Sequence, residues 1–265
     1  MITLYHNNMS TCAQKVRFAL AEKGVAWQGV HLNLRAGDQH RPDYLKLNPI
    51  GVVPTLVDDR YENGVVRESN VIMEYVDDLS ADNPLRPADP MARARMRLWM
   101  KRLDDRIHAE TGVISSAIAF RHQKLAKGRE AAEKLVNDIP DAAKRARMQS
   151  IVFEGTASPL FAGGIRQFRR LIGDMEAALS QGEWLAGDTF SLADMAYAPY
   201  ATRLEQLQLN GLWQPDSRFA DWYGRLKQRP GYRAAIADLF DDAYLALMAE
   251  KGAEAQPRVA EALAG

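Results

Sequence analysis

The sequence predicts two domains, an α/β domain over residues 1–80 and an all-α domain over residues 91–250, followed by a C-terminal tail at 251–265. Three observations support this division. The chain has 265 residues, which is more than a typical single domain. Apolar residues alternate between a strand period and a helix period in the first part and keep the helix period in the second. Residues 80–90, between the two parts, carry three prolines, which resist helix and strand alike and indicate a linker.

The first domain is predicted to run β-α-β-α-β-β-α. The periodicity predicts strands at 2–5, 27–32, 55–57 and 65–67, and helices at 13–23 and 43–47. Gly24 is placed to end the first helix. Ser69 is predicted to cap the last helix, which has one apolar face. A polar turn over residues 58–64 joins the last two strands.

After the linker, the apolar spacing is helical. The first helix there is indicated by Met96, Trp99, Met100, Leu103 and Ile107. Ser191 and Asp194 resemble a capping box that starts a later helix. Two further helices are predicted at 221–226 and 234–249. The residues after Gly252 are predicted to form a tail with one weak helical turn.

Composition excludes several classes of protein. Lys plus Arg and Asp plus Glu number 34 each, which argues against a nucleic-acid partner or a charged tail. The single cysteine can form no intrachain disulfide and fits a reducing compartment. No apolar run approaches the roughly 18 residues of a membrane span, and the N-terminus lacks the features of a secretory signal. We therefore expect a cytoplasmic protein without a membrane partner, and no His/Cys cluster suggests a metal.

Ser10, Thr11 and Cys12 stand between the first strand and the head of the first helix. A helix N-terminus presents unpaired N–H groups and a partial positive charge, so it stabilises an anion such as a thiolate. Ser10 is placed to donate to an external thiolate, or Cys12 is itself the ionised nucleophile. Taken alone, Ser10 is better explained as an N-cap and Cys12 as a small buried residue.

Two further pairs follow along the same domain. If the Val53–Pro54 bond is cis, the backbone of Val53 faces outward and pairs with an extended peptide as an edge strand does. Ser69 leaves backbone donors open to a ligand carboxylate, and Glu68 accepts from a ligand ammonium. Taken alone, a trans proline that opens a strand and a purely structural cap explain these residues better.

The order of these motifs within one β-α-β-α-β-β-α unit resembles the thioredoxin-like domain of cytosolic glutathione transferases. The similarity covers about residues 1–240. The stretches that carry it are Ser10-Thr11-Cys12 with Val16-Arg17, Leu47-Asn48-Pro49 through Val53-Pro54-Thr55-Leu56, Glu68-Ser69-Asn70-Val71-Ile72, Trp184-Leu185-Ala186-Gly187-Asp188 with Phe190-Ser191-Leu192-Ala193-Asp194, and Arg229-Pro230-Gly231-Tyr232. The resemblance implies the glutathione transferase fold, an α/β thioredoxin-like domain followed by an all-α domain.

The resemblance also implies a glutathione site. Val53, beside Pro54, pairs with the cysteinyl backbone of glutathione, and Glu68 and Ser69 bind its γ-glutamyl end. His40 lies at a position that contacts the glycyl carboxylate in several classes, and Thr11 belongs to the same cofactor site. Ser10 matches the serine that activates the thiol in zeta-like members. Cys12 matches the cysteine that acts covalently in reductive dehalogenases.

The second substrate is expected between the Ser10 loop and the first long helices of the second domain. This prediction takes the pocket to be apolar and partly aromatic, with polar groups that orient a phenolic or carbonyl compound. For any single aromatic residue, a place in the core is the alternative. The candidate lining residues are Asn7, Met9, His108, Ile114, Phe120, Phe153, Phe161 and Tyr197.

Two sub-resemblances indicate different reactions. Ser10-Thr11-Cys12 is similar to zeta-class isomerases and tetrachlorohydroquinone dehalogenases. Residues 86–90 and 95–99 resemble bacterial β-etherases that cleave lignin aryl ethers, and the long segment 114–165 resembles both those etherases and the dehalogenases. The predicted reaction is therefore attack of a glutathione thiolate on an aromatic electrophile, with β-aryl ether cleavage in lignin degradation and aromatic catabolism as the first hypothesis. Reductive dehalogenation and maleylacetoacetate-type isomerisation are the alternatives within the enzyme class.

A non-catalytic glutathione-binding scaffold on the same fold is the alternative from another class, because a fold does not fix a function. The resemblance further implies a dimer, either a homodimer or a heterodimer. The expected small-molecule partners are glutathione as co-substrate and a small aromatic compound.

Overall fold

A computed structural model describes residues 1–62, 64–139 and 141–265. Asn63, in the predicted polar turn, and Pro140, in the long segment after Ile114, lie outside the described residues. The first elements follow the predicted order. They are β1 (Ile2–His6), α1 (Thr11–Glu22), β2 (Gln28–His31), α2 (Pro42–Leu47), β3 (Thr55–Asp58), β4 (Val65–Val66) and α3 (Ser69–Asp78), with a short 3-10 turn at Asp38–His40 before α2.

The four strands form one mixed sheet in the order β2-β1-β3-β4. β1 runs parallel to β2 and antiparallel to β3, and β3 is antiparallel to β4. The register pairs His6 with His31, Tyr5 with Thr55 and Leu56 with Val66. The last residues of β1, β2 and β4 and the first residue of β3 therefore lie at one end of the sheet, which we call the His6 end.

α1 has capped ends and is buried on all sides from Ala13 to Leu20, so packing around the whole helix holds it in place. Val16, Ala19 and Leu20 are fully buried, and each large apolar side chain buried in this way contributes about 1.5–3 kcal/mol. Gly24 follows the C-terminal end of α1 with φ +63°, a left-handed conformation that glycine adopts without steric cost. α1 packs against α3, and this contact fixes the positions of both helix N-termini.

The rest of the chain is helical. The helices are α4 (Pro90–Arg102), α5 (His108–Ser115), α6 (Arg121–Leu125), α7 (Arg129–Asn137), α8 (Ala142–Gln149), α9 (Pro159–Leu179), α10 (Leu192–Gln206), α11 (Arg218–Lys227), α12 (Pro230–Ala235) and α13 (Asp242–Ala264). Within the described ranges, none of them combines the length and the apolar character that a membrane crossing requires.

Contacts between Cα atoms group the chain into two units that do not follow the sequence order. The first unit contains Met1–Met100, Ala178–Tyr200 and Asp221–Asp241. The second contains Lys101–Ala177, Ala201–Ala220 and Asp242–Gly265. The sheet and α1 to α3 therefore share a unit with most of α4, α10 and α11 and with α12. The predicted domain boundary in the proline-rich segment stays a prediction.

The C-terminal segment differs from the prediction. A helix was predicted over 234–249 and a tail after Gly252, whereas α13 begins at Asp242 and continues to Ala264. Within the second unit, a Cβ on Gly252 would lie 2.2 Å from the carbonyl oxygen of Leu207. Gly252 therefore permits a close approach of α13 to the end of α10, and it does not end the helix.

A similar close approach lies in the core of the second unit. A Cβ on Gly164 of α9 would lie 2.9 Å from Cγ2 of Ile114 in α5, so these two helices meet closely at a glycine. Ala132, Val136 and Val152 form a separate apolar cluster in the same unit. The long segment after Ile114 is thus folded into helices with a core of their own.

Candidate functional site

Four of the predicted site segments meet the sheet at its His6 end. The Ser10 loop follows β1, and Val53–Pro54 precedes β3. Glu68 follows β4, and the turn that contains His40 follows β2. Sheet register alone therefore brings these segments to one end of the first unit, although up to 58 residues separate the first from the last.

Ser10 caps α1 as the sequence predicts. Its Oγ accepts a hydrogen bond from the amide of Ala13 at 3.3 Å. The first backbone bond of the helix runs from the amide of Gln14 to the carbonyl of Ser10 at 2.9 Å, so the amides of Thr11 and Cys12 precede the intrahelical ladder. Because a hydroxyl both donates and accepts, the cap leaves the proton of Ser10 able to point toward an incoming anion.

Cys12 is half-buried in the first turn of α1. Its Sγ lies 3.9 Å from Oη of Tyr200, a fully buried residue of α10 in the same unit. Sequence reasoning missed Tyr200, because 188 residues separate it from Cys12 and the pair has no local sequence signal.

Arg17 holds the Ser10 loop from the interior. This buried guanidinium donates to the carbonyls of Asn7 at 3.2 Å and Asn8 at 3.1 Å, and to the carbonyl of Ala235 at 2.8 Å. Burial lowers the pKa of Arg17 to about 10. Arg17, a residue of α1, thus fixes two backbone carbonyls of the loop that precedes this helix.

His6 is the fourth partner of Arg17. Its Nδ1 lies 3.2 Å from Nη1 of Arg17, and because a guanidinium only donates, this nitrogen is the acceptor. Burial, followed by the charges of Arg17 and His31, lowers the pKa of His6 to about 4. The imidazole of His6 is therefore neutral at ordinary pH.

Asn7 and Met9 shape the loop. The side-chain amide of Asn7 donates to the carbonyl of Leu32 at 3.0 Å, and its Oδ1 accepts from the amide of Met9 at 3.0 Å. Met9 itself is buried. These contacts hold the loop, and the role of Asn7 in orienting a substrate stays a prediction.

The Val53–Pro54 peptide bond is cis. Just before it, the carbonyl of Val52 accepts from Oη of Tyr44 and from Nδ2 of Asn48, which ties the loop to α2 and the residue that follows it. Among the described residues, the backbone amide and carbonyl of Val53 have no hydrogen-bond partner. Val53 therefore offers one donor and one acceptor to an extended ligand.

Glu68 has a backbone conformation that is unusual for a residue other than glycine. Its φ is +65° and its ψ is 113°, a conformation that costs on the order of 1–3 kcal/mol. Strain of this kind clusters at ligand-binding positions. The carboxylate of Glu68 is exposed.

The start of α3 corrects the predicted cap. Glu68 is the N-cap residue, without a side-chain capping bond, and Ser69 is the first residue of the helix. The first backbone bond runs from the amide of Ile72 to the carbonyl of Glu68 at 2.9 Å. The amides between them point out of the helix end beside the buried hydroxyl of Ser69, where an anion is stabilised.

His40 lies against the loop that precedes Val53. A Cβ on Gly51 would be 2.7 Å from Nδ1 of His40, so the exposed imidazole packs directly over this glycine. Gly51 has φ +67°, a second reason why this position suits glycine. His40 is thereby held beside the loop that presents Val53.

The remaining pocket candidates fall in both units. In the first unit, Tyr197 is buried and its hydroxyl donates to the carbonyl of Trp99 at 3.0 Å. In the second unit, Phe120 packs edge-on against Tyr244. The other candidates of that unit are buried at Ile114 and Phe161, half-buried at Phe153 and exposed at His108. Their role in a pocket stays a prediction.

A metal site has no candidate ligands in the described ranges, where no group of three or more His, Cys, Asp and Glu side chains is placed to hold an ion. The chemistry of the site depends on helix N-termini, hydroxyl groups, one thiol and one carboxylate.

Two family models match this chain. The N-terminal domain of glutathione S-transferases matches residues 9–79, and their C-terminal domain matches residues 142–225. The chain belongs to the glutathione transferase superfamily. The fold is the glutathione transferase fold, and glutathione is the co-substrate of this superfamily.

Three curated relatives differ in what their names describe. FtsZ-localized protein A of Caulobacter vibrioides is 27% identical over 237 residues, covering 89% of this chain and 91% of the relative. Protein LigF of a Sphingobium species is 28% identical over 257 residues, covering 91% and 93%. The tetrachloro-p-hydroquinone reductive dehalogenase of Sphingobium chlorophenolicum is 25% identical over 248 residues, covering 88% and 95%.

One of these relatives also has a solved structure. The crystal structure of the β-etherase LigF superposes with a TM-score of 0.75 at 26% identity, covering 88% of this chain and 98% of that chain. The likeness thus extends over nearly the full length of both proteins.

Proposed function

We propose that this chain is a glutathione-dependent transferase whose bound thiolate attacks an aromatic electrophile, and that its reaction is the cleavage of a β-aryl ether. The observation that carries the proposal is the N-terminus of α1, where the Ser10 hydroxyl and the first amides face the sheet end that also bears Val53 and Glu68. The full-length likeness to the β-etherase LigF supports the ether as substrate.

The glutathione backbone is proposed to bind at the His6 end. The amide and carbonyl of Val53 pair with the cysteinyl residue as one strand edge pairs with another. The exposed carboxylate of Glu68 accepts from the γ-glutamyl ammonium, while Ser69 and the first amides of α3 bind its carboxylate. His40 is proposed to meet the glycyl carboxylate.

Thiol ionisation is the chemical task of the α1 N-terminus. A free thiol has a pKa of about 8.5, so most of it is protonated at neutral pH. The Ser10 hydroxyl, the amide of Thr11 and the helix dipole stabilise the thiolate, and each pKa unit gained corresponds to about 1.4 kcal/mol. Catalysis then depends on ionisation and positioning, without a strong general base.

The proposed reaction balances with glutathione and the ether alone. The thiolate sulfur attacks the carbon that carries the aryloxy group, so that a C–S bond forms as the C–O bond breaks. The electron pair of that bond leaves with the phenolate, which takes up a proton from water. The products are a glutathione thioether and a phenol.

The test follows glutathione consumption and phenol release with a model β-aryl ether, run beside a chlorinated hydroquinone. We expect phenol release that requires glutathione and matches its consumption mole for mole. Glutathione binding without release of phenol or of halide contradicts the etherase proposal. The isomerase substrates are then assayed as the remaining enzymatic alternative.

Reductive dehalogenation is the second candidate, favoured by the half-buried thiol of Cys12 in the first turn of α1 and by the dehalogenase relative. In this mechanism a glutathione thiolate first displaces halide from the arene. Cys12 then attacks the sulfur of the resulting aryl–glutathione conjugate, so that an S–S bond forms as the C–S bond breaks, and the arene leaves with that electron pair and takes a proton. A second glutathione then releases glutathione disulfide. Turnover that survives Cys12→Ser excludes this route, whereas halide release with disulfide formation supports it.

A scaffold function is the alternative from a different class, and the relative named FtsZ-localized protein A makes it worth a direct test. Glutathione binding with no turnover of any of these electrophiles supports it.

A homodimer is proposed from the family, and light scattering of the purified protein decides between one and two copies. A role in aromatic catabolism is proposed together with the ether reaction, and a cytoplasmic location is proposed from the family.

A further inference from the structure

Lys15 is a buried cation in the middle of α1. Its side chain has no exposed surface, and its Nζ donates to Oδ1 of Asn70 at 3.0 Å. Nδ2 of Asn70 donates in turn to the carbonyl of Met100 at 2.9 Å, which fixes the amide so that its oxygen faces the lysine. Burying an ammonium group is costlier than burying an apolar side chain of similar length, so apolar packing alone does not account for Lys15.

The same ammonium group lies over an aromatic ring. Nζ of Lys15 is 5.8 Å from the centroid of the Tyr200 ring. The hydroxyl of this tyrosine is the group that lies 3.9 Å from Sγ of Cys12. Tyr200 therefore has a cation at its ring face and a sulfur atom at its hydroxyl, and it connects two residues that are three positions apart in α1.

We propose that Tyr200 and Lys15 are positioning residues of the thiol site, where the Tyr200 hydroxyl donates a hydrogen bond to the Cys12 sulfur and Lys15 strengthens that donor. This role is independent of the proposed function, because it concerns the free protein and needs no second substrate.

The physical basis is the difference between a thiol and a thiolate as acceptors. A neutral thiol is a weak acceptor, which suits a contact at the long end of the range for sulfur. Hydrogen bonds to an ionised acceptor are shorter and about twice as strong. A cation at the face of a phenol ring withdraws electron density from it. The O–H group of Tyr200 then becomes a better donor, which favours the ionised form of Cys12.

Other titratable groups around this pair belong to the elements that pack on α1. Tyr197 lies beside Tyr200 on α10, with ring centroids 6.5 Å apart. Arg17, on α1 itself, is directed to His6 and to the loop carbonyls. The ionisable residues of α3 and α12 are Glu74, Tyr75, Asp77, Asp78, Tyr232 and Arg233. The variants below leave all of these in place except in the one control.

Alkylation by iodoacetamide provides the test. Cys12 is the only cysteine of the chain, so no other thiol contributes to the measured rate. The rate is measured from pH 5 to pH 10 in the protein without glutathione. Tyr200→Phe removes one oxygen atom and is expected to lower the rate at pH 7 about tenfold. Lys15→Met is expected to lower it about threefold.

The shape of the pH curve separates ionisation from access. Weaker stabilisation of the thiolate moves the half-maximal pH upward and raises the plateau rate only modestly, because a thiolate of higher pKa is the better nucleophile. Altered access changes the plateau without moving the half-maximal pH. The matched control is Tyr232→Phe, which removes the hydroxyl of another buried tyrosine whose ring contacts α1 at Phe18, and it should leave the half-maximal pH unchanged.

An unchanged half-maximal pH in folded Tyr200→Phe overturns the proposal, whatever Lys15→Met does. If Lys15→Met does not fold, Tyr200→Phe alone still decides. Glutathione turnover is measured separately, so a failure of the proposed function leaves this result intact.

Discussion

The N-termini of α1 and α10 share the same serine cap but differ in whether a carboxylate of the chain completes the cap. Each follows a serine whose Oγ accepts from a backbone amide of the first turn, Ser10 from Ala13 and Ser191 from Ala193. At α10, the carboxylate of Asp194 accepts hydrogen bonds from the amide and the hydroxyl of Ser191, and both residues are fully buried. At the α1 terminus, Ser10 provides the capping bond, the first turn contains no acidic residue, and Ser10 and Cys12 stay partly exposed.

The difference teaches how one local motif serves two purposes. Asp194 also accepts from the amide of Leu185 and from Nε1 of Trp222, so four donors converge on one buried carboxylate within the first unit. That terminus is completed by the chain itself. The termini of α1 and α3 lack such a carboxylate in their first turns, and both meet the His6 end of the sheet. At α3 the N-cap residue is Glu68, but its exposed carboxylate makes no capping bond. The first amides of α1 and α3 thus receive no carboxylate from their own first turns, and a ligand is proposed to supply the anion.

Removal of the internal anion gives the largest expected effect. Asp194→Ala leaves four buried donors without their acceptor, and loss of one partner from such a buried charged network costs about 3–5 kcal/mol. We expect a drop of this size in the free energy of unfolding. Urea denaturation followed by tryptophan fluorescence measures it, since Trp222 itself contacts the carboxylate.

Asp194→Asn is the matched variant. It keeps the volume and one acceptor oxygen but replaces the other oxygen with a donor. Its free energy of unfolding should therefore lie between those of the wild type and the alanine variant. Equal stability of Asp194→Ala and the wild type contradicts the view that this helix start is held by its own carboxylate.

The second prediction removes the cap of the open terminus. Ser10→Ala is expected to lower the free energy of unfolding by about 1 kcal/mol, the usual value of a lost N-cap. The same change should lower kcat/KM with glutathione about 10- to 100-fold, because it removes the proposed hydrogen bond from Ser10 to the glutathione thiolate. Steady-state kinetics on a generic aromatic electrophile and urea denaturation give the two numbers.

Ser191→Ala is the control for this prediction. It removes the corresponding hydroxyl at α10, so it should destabilise the protein by a comparable amount and leave kcat/KM unchanged. If both serine variants lose activity in proportion to stability, Ser10 is only a cap, and the contrast between the two termini fails.

The sequence predicted the sheet and the places of the Ser10, Val53 and Glu68 segments beside its strands because their signals are local, and the role of these segments in binding stays a prediction. Strand alternation, Gly24 after the first helix and the serine before it each depend on a few neighbouring residues. The cap of α3 was wrong by one residue: a glutamate with positive φ has no sequence signature, so Ser69 was taken for the cap instead of Glu68.

The rest depends on contacts between distant parts of the chain. The approach of Tyr200 to Cys12 and the buried bond of Lys15 to Asn70 join residues 188 and 55 positions apart. Gly252 was taken for a helix stop because glycine commonly ends helices, yet the close approach of the Leu207 backbone explains why glycine stands there. Tertiary packing decides such positions, and single-sequence periodicity carries no record of it.

The smallest expected effect is a pH dependence of stability that comes from His6 beside the α1 terminus. The open α1 terminus rests on Arg17 and His6, and burial with the nearby charges lowers the pKa of His6 from 6.5 to about 4. Between these values the unfolded chain binds a proton that the folded protein does not. Stability contributed by neutral His6 is therefore present above pH 6.5 and is lost as the pH falls toward 4.

His6→Asn tests this contribution, because the asparagine oxygen still accepts from Arg17 and no longer titrates. From pH 6.5 to pH 5.5 the wild type should lose at most about 1.4 kcal/mol more than the variant, as one proton of linkage allows. Urea midpoints at a series of pH values measure the difference. Parallel curves would mean that burial and Arg17 do not hold His6 neutral. The α1 terminus would then depend on the bonds from Arg17 to the loop carbonyls, without a pH-dependent contribution from His6.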